Sequence, residues 1–367
     1  MKIAIITYHA SNNYGAALQC LALQRQLTQL GVTAEVLDYQ PRKPDYLPFW
    51  KGWGIRKGLF LKNLPKRLIK IKYGTKSEES FEKFRIQYFN RSKYCSNKKE
   101  VASLANQYDA FIAGSDQVWY FARESVYFLD WGAPYAGKRI SYAPCCGMIN
   151  QPELNREDLK KWILQIDHLS TRNQFSYDLI HDLTGLTPKI VADPTLLIDL
   201  SDVAQKVTLP FSDYILMYTL GEEINGGHLS VIESIRKKVG NLPVVAVVPA
   251  SHKPHLAPWA DHVIYTAGPS EWLWLIQNAT FVYTDSFHAV LFSLNNKRPF
   301  LTYYAEEWRA PRLVDLAKRY QIQERVVGSS KEASEKLSHP FDLPTTKKLI
   351  LSHVKQSTLF LKTALEK

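Results

Sequence analysis

The sequence predicts an α/β protein with parallel β-sheets in two Rossmann-like domains and a cleft between the domains. Three observations support this fold class. The chain has 367 residues, about twice the length of an ordinary domain of roughly 150 residues. Its apolar segments are mostly short, as are strands that are buried in parallel sheets. Helical patterns separate many of these segments, and such alternation favours a doubly wound architecture.

The first forty residues form the clearest local unit. A strand is predicted at residues 3–7, a polar loop at 9–15 and a helix at 16–30. Gly31 follows this helix as the residue that ends it. Another strand is predicted at 34–39, and because a helical crossover joins parallel strands, the unit is a β-α-β element.

Later strands are expected where short apolar runs recur, at residues 110–113, 140–142, 190–192, 215–219, 244–248 and 281–284. A domain boundary is expected near 195–212, where one strand-loop unit closes and Pro210 leads into the next. The predicted organisation is an N-terminal domain at 1–200 with a basic excursion at 45–80, a C-terminal domain at 201–345 and a final helix at 346–367.

Several classes of protein are excluded by the composition. The apolar run at the N-terminus is too short for a secretory signal, and no later run reaches the roughly 18 residues of a membrane-spanning helix. The four cysteines lack C-x-x-C spacing, and the pair His252 and His255 has no neighbouring carboxylates, so no zinc site is predicted. We therefore expect a cytoplasmic protein that holds no metal.

The net charge of +11 is concentrated in one segment. Residues 51–76 carry nine Lys or Arg and no acid, interleaved with Leu, Ile and Phe. This pattern is typical of a basic amphipathic segment on the anionic inner face of a membrane, and a helix packed on its own domain is the alternative. Nucleic acid is not an expected partner, because no helix-turn-helix, zinc-finger or aromatic RNA-binding motif accompanies the charge.

Ligands of open parallel sheets bind beyond the carboxyl ends of the strands, and three loops there contain candidate residues. The first loop, residues 9–15, has one glycine where a dinucleotide fold needs three, so no nicotinamide cofactor is predicted. Asn12, Asn13 and Gly15 are candidates for binding a sugar hydroxyl or a phosphate. A simple helix cap is the alternative.

The second loop follows the strand at 110–113 and contains Ser115, Asp116 and Gln117. A carboxylate and an amide side by side can together accept and donate hydrogen bonds, which suits the recognition of sugar hydroxyls. A helix cap by Ser115 or Asp116 is again the alternative.

The third loop belongs to a strand-turn-helix at residues 281–299. Asp285 or Ser286 caps the helix, which places His288 in or beside the first turn, where the helix dipole attracts anions. We predict His288 as the centre of the active site, where it exchanges a proton or contacts a phosphate or carboxylate. Arg172, which follows a strand-like run, is a candidate for clamping such an anion bidentately or for an interdomain salt bridge.

Several segments in the same order make the sequence resemble the polysaccharide pyruvyl transferase family over most of the chain. Gly114-Ser-Asp-Gln-Val-Trp119 and Thr284-Asp-Ser-Phe-His-Ala289 are the most specific of them. The other matching segments lie at residues 12–19, 139–144, 169–172, 191–197 and 268–271.

This resemblance implies a fold like that of GT-B glycosyltransferases, with an acceptor side in the N-terminal domain and a donor side in the C-terminal domain. It implies transfer of a pyruvyl group from phosphoenolpyruvate to two hydroxyls of a sugar, as a cyclic ketal. The acceptor would be a free or lipid-linked saccharide precursor of a cell-surface polysaccharide. No cofactor is implied.

The resemblance also implies roles for individual residues. His288 matches the family histidine as an acid-base group or phosphate contact, Arg172 looks like the arginine that holds the donor, and Glu271 would line the same cleft. At Ser286 the sequence departs from the family, whose well-studied members commonly have arginine there. Either another basic residue such as Arg312 substitutes for it, or the donor differs.

Two other functions therefore stand beside pyruvyl transfer. One is glycosyl transfer from a nucleotide sugar on the same scaffold, with His288 and Arg172 contacting the diphosphate. The other is a non-catalytic member of a polysaccharide assembly complex that docks through residues 51–76. Ser286 favours both of these over the first.

Overall fold

The computed structural model describes residues 1–41, 57–120, 124–147, 156–305 and 310–366, with the side chains of 57–63 excepted. The described helices are α1 (Tyr14–Gln29), α2 (Lys57–Tyr88), α3 (Lys98–Ala105), α4 (Arg156–Ile163), α5 (Gln174–Thr184), α6 (His228–Val239), α7 (Pro269–Asn278), α8 (Phe287–Asn295), α9 (Ala310–Tyr320), α10 (Ser330–Lys336) and α11 (Leu343–Leu365). In this part of the chain no helix is both long and apolar enough to cross a bilayer.

The described strands are β1 (Lys2–Ile6), β2 (Thr33–Val36), β3 (Ala110–Ala113), β4 (Lys138–Ser141), β5 (Ser170–Thr171), β6 (Lys189–Ile190), β7 (Ile215–Tyr218), β8 (Val244–Val247), β9 (His262–Ile264), β10 (Phe281–Thr284), β11 (Phe300–Tyr303) and β12 (Val326–Val327). Strands β1 to β4 form a sheet of order β2-β1-β3-β4, and β5 pairs with β6. Strands β7 to β12 form a six-stranded sheet of order β12-β11-β10-β7-β8-β9.

Every described pairing between these strands is parallel. The expected α/β class with parallel sheets is therefore confirmed. Strands β9, β11 and β12 were not predicted, whereas β5 coincides with the strand-like run expected before Arg172. Strand β12 is only two residues long and β9 only three, so neither of these two produces a recognisable apolar run. The predicted domain limits remain a prediction.

The long connection between β2 and β3 contains α2, which lies in the expected basic excursion. Residues 45–56 of this excursion lie outside the described part of the chain. Helix α2 does not pack only on the N-terminal sheet. Its Tyr73 stacks on Tyr265 with ring centroids 4.7 Å apart, and its Ser80 hydroxyl donates to the Thr266 carbonyl at 2.9 Å. The helix therefore contacts the segment between β9 and α7.

Helix α1 is buried along almost its whole length, because it lies between the N-terminal sheet and helix α7. Tyr14, at its first position, is sandwiched between Phe81 of α2 and Trp272 of α7. The ring centroids are 5.0 and 5.3 Å apart and the planes are 20° and 13° from parallel. The Tyr14 hydroxyl donates to the Ala267 carbonyl at 3.0 Å. This stack joins the two sheet-bearing halves beside the cleft.

The final helix, α11, returns from the C-terminal half to the N-terminal sheet. Its His353 contacts the Tyr320 hydroxyl of α9 at 2.8 Å and the Ile190 carbonyl of β6 at 3.2 Å. Further along, Leu361 and Ala364 are fully buried in the same hydrophobic cluster as Ile3. The helix predicted at 346–367 is thus present as Leu343–Leu365 and connects the two halves a second time.

We predict that Tyr14→Ala lowers the free energy of unfolding by about 3–5 kcal/mol, because it leaves a cavity between two fixed aromatic rings. Tyr14→Phe removes only the hydrogen bond to Ala267 and should lower it by about 1 kcal/mol. Urea denaturation measures both values. Tyr94→Ala is the control, since this tyrosine is 53% exposed. A loss for Tyr14→Ala no greater than that of the control would show that the stack does not join the halves.

Candidate active site

The first turn of α8 places His288 at the carboxyl end of β10. Ser286 is the N-cap of this helix, and its hydroxyl accepts the Ala289 backbone N–H at 3.4 Å. The Thr284 hydroxyl accepts the Ser286 backbone N–H at 3.0 Å, which fixes the turn between strand and helix. The sequence left the cap open between Asp285 and Ser286, and the structure selects Ser286.

Asp285 holds the same turn from outside the helix. One of its carboxylate oxygens accepts the Leu220 backbone N–H at 2.7 Å, and the other accepts that of Gly221 at 2.6 Å. Both residues follow β7, the neighbour of β10 in the sheet. The turn that carries His288 is therefore attached to two adjacent strand ends.

The carboxylate of Asp193 contacts side chains that follow several different strands. Its Oδ2 accepts from the Ser115 hydroxyl at 3.1 Å and from Arg172 Nη1 at 3.0 Å, and it lies 3.5 Å from His288 Nε2. Its Oδ1 accepts from the backbone N–H and the hydroxyl of Thr195 at 3.1 and 2.8 Å. Asp193 is 2% exposed. One buried carboxylate thus joins the N-terminal half to the first turn of α8.

The charges around this carboxylate compensate one another. Burial by itself raises the pKa of Asp193, but the His288 imidazole and the Arg172 guanidinium outweigh it and hold the pKa well below its usual range. The Arg172 guanidinium is shared with Asp116, 3.4 Å away, and lies 4.6 Å from the centre of the Phe287 ring. Both Nη atoms of Arg172 are therefore occupied by carboxylates of the protein itself.

Gly15 lies directly against the imidazole of His288. A Cβ atom at residue 15 would be 2.2 Å from His288 Nδ1 and 2.3 Å from its Cγ, far closer than any real contact. Asn13 caps α1 by accepting the Ala16 backbone N–H at 3.1 Å, which sets the first turn of α1 in this place. Gly15 is needed because the helix backbone approaches the ring.

The loop after β3 places its polar side chains on the N-terminal side of the cleft. Asp116 has a φ of 81°, a left-handed conformation that aspartate tolerates better than most residues. Its carbonyl accepts the Cys145 backbone N–H at 2.8 Å, which attaches the loop to the segment after β4. Ser115 is fully buried on Asp193, whereas Asp116 and Gln117 face the cleft.

A cavity of about 290 Å³ opens between these loops. Its N-terminal wall consists of hydroxyl, amide and carboxylate side chains, namely those of Asn13, Asp116, Gln117 and Tyr120. Its C-terminal wall contains basic side chains and the start of α8, and is formed by Leu220, His252, Lys253, Asp285, Ser286, Phe287, His288 and Arg312. The cavity is therefore polarised, and His288 lies where its two walls meet.

The structure brings most of the predicted site residues together. Those that line the cavity are Asn13, Asp116, Gln117, Ser286, His288 and Arg312, while Ser115 and Arg172 lie behind it on Asp193. Asn12 accepts from the Arg85 guanidinium at 3.2 and 3.3 Å. Glu271 accepts the Gly268 backbone N–H at the start of α7. Neither Asn12 nor Glu271 is among the described residues that line the cavity.

Two features of the site were not predicted as such. Asp193 follows β6, and a carboxylate beyond a strand end was an available signal, but its partners are distant in the sequence. His252 and Lys253 follow β8 in a segment that was considered only as a metal site and rejected. The useful signal there was the basic residue beyond a strand end rather than the histidine spacing.

The architecture is that of the GT-B class, two parallel-sheet halves with a polar cleft between them. A Listeria monocytogenes protein assigned as a UDP-N-acetylglucosamine 2-epimerase is similar, with a TM-score of 0.54, 12% identity and coverage of 97% of this chain and 90% of that one. UGT89C1 from Arabidopsis thaliana has a TM-score of 0.53 at 11% identity and 99% coverage of both chains. MnaA from S. aureus, solved with UDP, has a TM-score of 0.51 at 12% identity, with 92% and 87% covered. These similarities confirm the GT-B-like fold.

The family follows from the sequence itself. The family model for polysaccharide pyruvyl transferases matches residues 13–305, which include Arg172, Asp193 and His288. The chain therefore belongs to the polysaccharide pyruvyl transferase family and is a transferase. No curated protein matches the chain.

We predict that Gly15→Ala lowers transferase turnover on the order of 10²-fold, because the new methyl group displaces the His288 ring by an ångström or more. Gly74→Ala is the matched control, since it is also a helical glycine and its Cβ would meet only Lys70 Cγ at 3.4 Å. A crystal structure of Gly15→Ala locates the ring independently of activity. Unchanged turnover with a displaced ring would remove His288 from the catalytic centre.

Proposed function

We propose that the protein transfers the pyruvyl group of phosphoenolpyruvate to a sugar of a cell-surface polysaccharide precursor, forming a cyclic ketal and releasing phosphate. The polarised cavity is the observation that supports this function best. Its N-terminal wall suits sugar hydroxyls, because the amide and phenol groups donate and accept hydrogen bonds and the carboxylate accepts them. Its C-terminal wall suits an anionic donor, because it combines basic side chains with a helix N-terminus.

The position of His288 between the two walls fits the proton transfers of this reaction. Protonation of C3 of phosphoenolpyruvate turns the methylene into a methyl group and leaves an oxocarbenium-like centre at C2. One sugar hydroxyl adds to C2 and loses its proton. A second hydroxyl then displaces phosphate, and its proton leaves with the phosphate. We assign the first proton to His288, which regains a proton from the attacking hydroxyl. Asp193, 3.5 Å from Nε2, offsets the positive charge of the imidazolium.

The donor needs cations, and Ser286 is not one. Arg172 was expected to hold the donor, but its guanidinium is already engaged by Asp193 and Asp116. We therefore assign Arg172 the role of positioning Asp193 and His288. Lys253, from the segment after β8, and Arg312, on α9, are the basic residues of the cavity wall that we propose for the phosphate and carboxylate of the donor.

Glycosyl transfer from a nucleotide sugar is the second candidate, and the neutral Ser286 favours it. A structure of UGT89C1 with UDP-L-rhamnose is similar to this chain, with a TM-score of 0.53. The cavity volume argues for the smaller donor. About 290 Å³ is just below the range of about 300–1,000 Å³ that is typical of small-molecule pockets, and a nucleotide sugar needs much more room than phosphoenolpyruvate.

We also propose that the acceptor is lipid-linked and that the protein acts at the inner face of the membrane, in peripheral contact with it through residues 51–76. Nine Lys or Arg without an acid support this placement. Residues 57–76 belong to α2, so the described part of the segment is helical, as an interfacial segment requires.

The donor can be identified by incubating the protein with lipid-linked oligosaccharide and either phosphoenolpyruvate or a set of nucleotide sugars. We expect phosphate release from phosphoenolpyruvate, reduced by about 10²–10⁴-fold in His288→Ala, since this is the usual contribution of an acid-base group. His181→Ala, on the surface of α5, is the control. Release of nucleotide instead of phosphate would establish the second candidate. If no donor reacts or raises the melting temperature, the non-catalytic role remains.

Lys253 separates donor binding from chemistry. We expect Lys253→Ala to raise the KM for phosphoenolpyruvate by about tenfold or more with a smaller change in kcat, because it removes one charge-assisted contact. Lys253→Arg should retain most of the affinity. Lys237→Ala, on the exposed face of α6, is the matched control. An unchanged KM in Lys253→Ala would leave Arg312 as the donor contact and refute this assignment for Lys253.

A further inference from the structure

Helix α2 carries a row of large aliphatic side chains on its solvent side. Leu64, Leu68 and Ile71 are 37%, 56% and 75% exposed. Their spacing of four and three residues places them on one side of the helix, one turn above another. We call these three residues the α2 ridge. Single exposed leucines are ordinary on protein surfaces, but a continuous row of them on one helix marks an interaction surface.

Basic side chains border the α2 ridge. Lys66, Lys70 and Lys72 are exposed, and Arg67 is partly exposed. The first acids of the helix, Glu78 and Glu79, come only after the ridge has ended. A strip of aliphatic side chains between cations is complementary to an anionic lipid surface, where the apolar groups enter the acyl boundary and the cations meet the headgroups.

The opposite side of α2 is firmly attached to the protein. Besides the stacking of Tyr73 on Tyr265, the Ser77 hydroxyl lies 3.0 Å from that of Ser251. Ile69 is 7% exposed and Phe81 is fully buried. The two interpretations of the basic segment thus apply to different faces of one helix. Packing on the protein explains the buried face and leaves the α2 ridge unexplained.

Helix α2 also contacts the two neighbours of Asn13, a residue of the N-terminal wall of the cavity. Its Arg85 donates to Asn12 Oδ1, and its Phe81 stacks on Tyr14, the first residue of α1. Arg85 is itself held by Glu82 at 2.8 Å. A surface that engages the α2 ridge is therefore connected through one helix to the acceptor side of the cleft.

We infer that the α2 ridge docks on an anionic lipid bilayer, with Leu68 and Ile71 inserted at the acyl boundary and the flanking lysines at the headgroups. This orientation holds the acceptor side of the cleft close to the membrane. That last consequence rests on the proposed function, in which the acceptor is lipid-linked. The docking names the residues of the membrane contact proposed above and does not depend on the reaction.

Vesicle flotation tests the docking. The full chain is mixed with phosphatidylcholine vesicles that contain or lack about 30% phosphatidylglycerol, whose negative surface potential attracts polybasic segments. We expect binding to the anionic vesicles, reduced at least about tenfold in Leu68→Asp/Ile71→Asp, because two buried aliphatic side chains are lost. Ile86→Asp is the matched control on the same helix, since Ile86 is 67% exposed and lies beyond the basic part. Lys70→Gln/Lys72→Gln should weaken binding to anionic vesicles and reduce its salt dependence.

Three outcomes would overturn the inference. They are absence of wild-type binding at low salt, equal losses for Leu68→Asp/Ile71→Asp and Ile86→Asp, or binding of single-stranded RNA in place of vesicles. Phosphate release with a water-soluble acceptor is measured in parallel and should be unchanged in the ridge variants. If vesicles bind but phosphoenolpyruvate does not react, the proposed reaction fails and the docking stands. If phosphate is released but vesicles do not bind, the docking fails and the reaction stands.

Discussion

Asp193 carries a negative charge although it is only 2% exposed. Its charged and hydrogen-bonding partners around the cleft compensate the cost of burying this charge. A buried carboxylate without partners is destabilising by several kcal/mol, so Arg172, Ser115 and Thr195 must all be in place. These partners come from strand ends of the N-terminal half, whereas His288 comes from the C-terminal half. The carboxylate therefore requires the two halves to meet in one relative position, and that position also defines the cavity.

Packing on the other side of His288 fixes the same relative position of the two halves. The first turn of α1 approaches the imidazole so closely that residue 15 has no room for a side chain. One residue earlier, Tyr14 is clamped between Phe81 and Trp272. A shift of α1 would thus disturb the aromatic stack and the histidine together. Stability and the geometry of the site depend on the same turn, which is why the imidazole can remain fixed in a cleft between two halves.

The local parts of this arrangement could be predicted from the sequence and the long-range parts could not. A strand end, a capping residue and a first turn are consecutive, so the placement of His288 was predictable. Two partners of Asp193, Arg172 and Ser115, lie 21 and 78 residues away, and no local pattern reports such a contact. For the same reason the sequence left Arg172 open between a donor clamp and an interdomain salt bridge, and its contacts with Asp193 and Asp116 are visible only in the folded chain. Glu271 was carried over from a motif, and its contact with the backbone of α7 is a local capping role.

The presence of serine at residue 286, where well-studied family members commonly have arginine, has a structural reason. The N-cap of α8 needs a short side chain that accepts a backbone N–H, which serine provides and arginine cannot. The serine therefore strengthens the turn that carries His288, while the cations of the cavity wall stand on other elements, Lys253 after β8 and Arg312 on α9. A positive donor wall does not require its charge at residue 286. It requires basic side chains that reach the start of α8, where the helix dipole already favours an anion. With the basic charge on other elements, one turn positions the histidine and its neighbours supply the cations of the proposed donor site.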